Sequence, residues 1–126
     1  MAWLYSPVSR AYLAFAPAAA RATILDMLKA RKDPESLLAH DSRFIQALLE
    51  QTRACGYASN FGEWNEEPKF GGYAMPIRKP NGEVMVSLNV IFLSTALKNE
   101  ATRKPILQAL AEAVRRIETD YAREVV

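Results

Sequence analysis

A single cysteine, Cys55, stands in this chain, so no internal disulfide framework is possible. The fold must rest on its apolar core, which suits a reducing compartment. Histidine is equally scarce: His40 is the only one. The acidic group Glu63, Glu66 and Glu67 has no His or Cys at ligand spacing beside it, and reads as a solvated loop rather than a metal site. No apolar run reaches the length of a membrane span. The opening MAWLYSPVSR lacks the basic region and apolar stretch of a secretion signal. The expectation is a cytoplasmic protein with no membrane partner.

Charge of one sign is also missing. The 16 Lys and Arg stand against 14 Asp and Glu, and the basic pairs Arg31-Lys32, Arg78-Lys79, Arg103-Lys104 and Arg115-Arg116 are scattered. That excludes the concentrated basic stripe of a nucleic-acid interface, so direct nucleic-acid contact by this chain is not expected. There is no Gly-rich phosphate loop and no nucleophile elbow. Cys55 lies on an apolar helical stripe and reads as a packing thiol, and His40 as an exposed residue. No nucleophile–base pair is evident, and the chain is not read as an enzyme.

What remains is an ordinary globular composition, with 50% apolar and 24% charged residues in 126 positions. That suffices for one domain with one core. The most informative stretch runs from Phe70 to Leu93, two apolar strands meeting at Asn81-Gly82. Asn-Gly favours a two-residue type I′ turn, which sets Tyr73 opposite Val90, Met75 opposite Leu88 and Ile77 opposite Val86. Side chains alternate between faces. One face then carries those six large apolar residues, and the other Gly72, Ala74, Ser87 and Asn89, with Phe70 and Ile91 at one end. A type I turn with a bulge at Gly82 is the alternative, and would shift one strand by a residue. The type I′ register is preferred because it segregates large from small residues. The second face is too small and polar for an ordinary core; a helix laid over it would leave a hollow suited to a small molecule.

Helices precede the hairpin. Ser6-Pro7 reads as an N-cap and first helical residue, followed by Val8, Ala11, Tyr12 and Phe15 on one side. Pro17 opens a second helix bearing Ile24, Leu25 and Leu28. Asp33-Pro34 starts a short turn, and Asp41 caps a helix carrying Phe44, Ile45, Leu48, Leu49, Thr52 and Cys55, ended by Gly56. Tyr57 to Phe61 reads as a strand, 62–69 as a polar loop, and 94–104 as a connection. Pro105 is placed in the first turn of a last helix with the stripe Leu107, Leu110, Val114, Ile117 and Tyr121. The order is helices, strands, helix: an α+β domain with a small antiparallel sheet flanked by helices. About three strands are few for these helices, and their open edges suit a partner in a dimer or a larger domain.

Two features suit a ligand. The N-terminus of the first helix offers the N–H groups of Val8 and Ser9, with the Ser9 hydroxyl, to a carboxylate. Ser87 and Asn89 would supply polar groups from the strand.

Taken in order, these segments resemble the effector-binding domain of IclR-type transcriptional regulators. The stretch from Ser6 through Phe15, SPVSRAYLAF, is similar to that family's Ser-Gly-x-Gly-Lys-Ala-x-Leu-Ala helix. Arg53, Gly56 and Tyr57 resemble its Arg-x-x-Gly-Tyr stretch, and Ala74-Met75-Pro76-Ile77-Arg78 with Gly82 and Val84 to Val90 resembles its hairpin. The resemblance covers nearly the whole chain. It implies a GAF-like sensor domain, residues 1–126, incomplete at its N-terminus. The family's winged helix-turn-helix, its linker and the first sensor strands would precede Met1. It implies ligand sensing in transcription regulation: a small organic acid would modulate DNA binding by a domain absent here, and Phe70, Trp64 and Tyr57 are compatible with either an aromatic or an aliphatic acid. No cofactor is implied; the open strand edges noted above make a homo-dimer or higher homo-oligomer the expected assembly. Carried onto this chain, the effector contacts are Pro7, Val8, Phe70, Gly72, Asn89 and Ile91, with Asn60 as a looser polar match upstream; the residue reading above adds Ser9 and Ser87 to the expected effector-binding set. Pro7 and Ser9 stand where the family has Gly, and Gly72 where some members have Cys. The alternative function is a structural or dimerisation fragment without a working pocket.

Overall fold

The computed structural model describes residues 3–61, 70–93 and 99–124. Four helices come first: α1 (Pro7–Phe15), α2 (Ala18–Ala30), α3 (Pro34–His40) and α4 (Ser42–Cys55). The strands β1 (Ala58–Phe61), β2 (Phe70–Arg78) and β3 (Val84–Leu93) follow, then α5 (Glu100–Glu124). The strands are antiparallel in the order β1-β2-β3. This is the expected α+β arrangement. The acidic loop with Glu63, Trp64, Glu66 and Glu67 and the segment 94–98 lie outside the described residues.

The strand pairing matches the segregated register, with Tyr73 opposite Val90, Met75 opposite Leu88 and Ile77 opposite Val86. The turn does not match. Gly82 N–H donates to Lys79 O at 2.9 Å and Lys79 N–H to Glu83 O at 2.8 Å. Gly82 has φ of 90°, and no described non-glycine residue has a positive φ. Asn81 therefore lacks the left-handed backbone that a type I′ turn requires. The turn is the longer form, with Gly82 as its left-handed bulge residue. Its one-residue offset is cancelled by a second bulge: Arg78 faces Val84 but Ile77 faces Val86, leaving Met85 as the extra residue. Two irregularities thus preserve the facial pattern that burial demands.

Each sheet face meets a helix. On the large face, α5 contributes Leu110 and Val114 to a core with Tyr73 and Ile77. Tyr57 and Tyr73 pack edge to face at 5.5 Å there, and burial pushes both phenols above their usual range, so both stay neutral. On the small face, α1 packs directly: Ala11, Ala58 and Ala74 form a buried cluster with Val8 beside it. A second core of Leu4, Leu13, Leu28, Ala39 and Ile45 lies among the helices. α1 is shared by both layers.

Several local expectations need correction. Asp41 caps α4 as expected, accepting from Phe44 N, and Gly56 ends α4 at φ 83°; the helical turn expected at Asp33-Pro34 is α3, which Asp33 also caps by accepting from Ser36 N. Pro105 is not at the start of α5 but inside it. Asn99 begins that helix earlier, its Oδ1 accepting from Thr102 N at 2.9 Å. Cys55 is exposed rather than buried, because it lies on the last turn of α4, beyond the buried Ile45 and Thr52. The buried residues of α1 are Pro7, Ser9, Arg10, Ala11, Leu13 and Ala14, while Val8, Tyr12 and Phe15 are half-buried.

At Gly72 an added Cβ would stand 2.7 Å from Val90 O and 3.4 Å from Pro7 Cγ. The backbone oxygen cannot swing away, so Gly72→Ala should destabilise the fold by about 1–3 kcal/mol. A lowered midpoint in urea unfolding at unchanged slope checks this.

Candidate functional site

α1 opens with Ser6 extended (φ −70°, ψ 133°), yet its side chain makes no capping hydrogen bond. The first helical bond runs from Arg10 N–H to Ser6 O at 3.0 Å. The N–H groups of Val8 and Ser9 therefore have no acceptor within the helix, and Pro7 has none to offer. No acidic residue lies in the first turn. The positive end of the helix dipole is unneutralised by its own side chains.

This helix end borders an apolar trough of about 280 Å³, lined by Trp3, Val8, Ser9 and Tyr12 on one side and Met85, Val86 and Ser87 on the other. The volume is at the low end for small-molecule sites. Trp3 and Tyr12 stack obliquely, centroids 6.1 Å apart. The Ser87 hydroxyl oxygen is buried and has no hydrogen-bond partner among the described residues. A buried hydroxyl without a partner costs about 1–3 kcal/mol, which a ligand acceptor or donor would recover.

Of the nine expected contacts, Val8, Ser9 and Ser87 line this trough together. The others lie elsewhere. Pro7 and Gly72 are buried against each other, closing the space where a hollow was expected. Asn60 is fully buried and its Nδ2 donates to Tyr5 O at 2.5 Å, tying β1 to the segment before α1. Phe70 is half-buried at the start of β2. Asn89 and Ile91 share the small face by register but are exposed, Ile91 at 49%. The small residues thus permit helix–sheet contact rather than leaving a cavity, and the described opening sits nearer the turn end of β3. Trp3, Tyr12, Met85 and Val86 were missed. Met85 enters only because of the bulge, and Trp3 only because the segment before α1 folds back.

That segment is held by two buried charged residues. Glu35 Oε1 accepts from Leu4 N at 2.6 Å. Arg10 is 5% exposed; its Nε donates to Leu4 O at 2.7 Å and its Nη1 to Ser59 O at 3.0 Å. Arg10 thereby fixes the start of α1 relative to β1. Arg10→Met would strip donors from two carbonyls, and should lower stability by about 2–4 kcal/mol in chemical denaturation.

Residues 4–119 match the family model for the C-terminal domain of the bacterial transcriptional regulator IclR. An IclR family transcriptional regulator from Brucella abortus is similar in structure at a TM-score of 0.73 and 25% identity, covering 94% of this chain and 44% of that one. IclR of Thermotoga maritima is similar at 0.73 and 22%, covering 94% and 47%. Pseudomonas aeruginosa HmgR is similar at 0.75 and 22%, covering 97% and 46%. The chain spans about half the length of these solved proteins.

Proposed function

Because the chain belongs to the IclR family of bacterial transcriptional regulators, matching its GAF-like C-terminal domain, we propose that it senses a small organic acid and so modulates DNA binding by a domain outside this chain. One observation carries this reading: an uncapped helix N-terminus and an unpartnered buried hydroxyl, Ser87 Oγ, border the same apolar trough. A carboxylate would lie against the Val8 and Ser9 N–H groups, favoured by the helix dipole. Ser87 would donate to it, and an apolar or aromatic body would rest between Trp3, Tyr12 and Met85. None of the remaining expected contacts lines the trough: Asn89 and Ile91 follow Ser87 along β3, Phe70 lies at the far end of the hairpin, and Pro7, Gly72 and Asn60 serve the packing at the start of α1.

The acid would join α1 to β3, elements whose separation sets the trough. Whichever arrangement of the intact regulator holds that trough at the right width would gain population, in proportion to the acid's differential affinity. Titration calorimetry with acetate, hexanoate, benzoate and phenylacetate tests this. Saturable binding of an aromatic acid is expected, weakened about tenfold in Ser87→Val and lost with the methyl ester. A folded sample that binds none of the four, or binds ester and acid alike, would defeat it.

A second reading, a self-pairing module, is favoured by the outer edge of β3. This strand of 10 residues has no described neighbour beyond β2 on its other side and carries no charge or proline. Val86, Ile91 and Leu93 are exposed at 53%, 49% and 48%. Such an edge templates strand addition. Antiparallel pairing of two copies about Asn89 would set Ile91 of each beside Ser87 of the other, over the same trough. The acid and a second copy would therefore compete. Sedimentation equilibrium should show a dimer that Ile91→Lys converts to monomer; a monomer throughout rejects self-pairing and leaves acid binding standing.

A further inference from the structure

Residues of α2, α3 and α4 surround a concavity of about 340 Å³. Its floor includes Leu25, Ile45 and Leu49, and its rim carries Arg21, Lys29 and Arg53 against a single carboxylate, Glu50. None of the three cations makes an ion pair with a described residue. Glu50 is engaged instead by Gln46, whose Nε2 donates to Glu50 Oε1 at 2.9 Å.

The two guanidiniums are held in place. Arg21 Nη1 donates to Leu13 O and Ala16 O, each at 3.2 Å. Arg53 Nε donates to Ala14 O at 2.8 Å. Both therefore gather at the C-terminal end of α1, where the carbonyls attract cations. Having committed one nitrogen each, they keep further N–H donors for the concavity. Their closeness has a cost: burial, and then repulsion from Arg53, hold Arg21 below the usual guanidinium range. Two fixed like charges over an apolar floor form a fork for one anion, since guanidinium pairs bind planar carboxylates and phosphates with oriented hydrogen bonds.

We propose that the concavity between α2, α3 and α4 is a separate small-anion site, in which Arg21, Arg53 and Lys29 grip the carboxylate or phosphate head of an organic anion and the apolar floor takes its chain. The Ser42 side chain at the rim adds a hydroxyl for the head group. This site shares no lining residue with the trough beside Ser87. Its occupant would brace α2 against α4 and the C-terminal end of α1.

Calorimetry on the full chain with inorganic phosphate and with hexanoate tests the site and tells the two head groups apart. One saturable site is expected for at least one probe, unaffected by Ser87→Val. Tighter phosphate binding indicates a phosphorylated ligand, and tighter hexanoate binding a carboxylate whose chain lies on Leu25 and Leu49. Lys29→Gln should weaken binding about fivefold, with Lys32→Gln, also exposed and on the same charge scale, unchanged. Arg53→Gln should weaken it further; should that variant fail to fold, Lys29→Gln and Ser42→Ala carry the test. No saturable binding of either probe, or equal weakening by Lys29→Gln and Lys32→Gln, overturns the proposal.

Discussion

The contact between α1 and the small-residue face of the sheet is the constraint on which the rest of this domain depends. A helix can lie this close to a strand only where neither side has bulk. Gly72, Ala74 and Ala58 supply that on the sheet, and Pro7 and Ala11 on the helix. The gain is packing at near-crystalline density over both surfaces. The consequence is positional: with the middle of α1 pressed against β2, its two ends are held in fixed places. Arg10 and Asn60 reinforce this by tying the segment before α1 to β1 through main-chain carbonyls.

Those two ends have opposite chemistry. The N-terminal end presents N–H groups that Ser6 leaves uncapped, next to a strand whose Ser87 hydroxyl has no partner among the described residues. The C-terminal end presents carbonyls that Arg21 and Arg53 cover, leaving cationic nitrogen facing a groove among the helices. A nine-residue helix is thus flanked by two regions that favour anions, for different reasons: backbone dipole at one end, fixed guanidinium at the other. A rigid element between two such regions is the physical means by which occupancy at one could bias the other.

Much of this is legible in the sequence. The facial segregation of β2 and β3 predicted the strand pairing, because burying six large apolar residues together outweighs the preference of a local turn. That same preference misled about the turn itself: Asn-Gly suggests a two-residue link, whereas Pro80 favours the longer turn it begins, and Met85 absorbs the offset. Asp33, Asp41 and Gly56 declared helix ends because capping is a local interaction between neighbours in sequence. Pro105 misplaced the last helix, since proline is tolerated within its opening turns once Asn99 has started it. The small face was read as room for a guest. Smallness reports only that something comes close, and here the something is the protein's own helix.

The sequence by itself determined the α+β class, the register of the hairpin, the helix ends at Asp41 and Gly56 and the resemblance to a regulator domain. These follow from periodicity and from interactions a few residues long. Only the tertiary structure decided that Arg10 is buried, that Cys55 is not, that the described opening lies beside Ser87 rather than over Gly72, and that Arg21 and Arg53 meet. Each of those depends on which segments distant in the chain come to lie against one another. Burial and charge proximity are properties of that three-dimensional neighbourhood, and no local pattern encodes them.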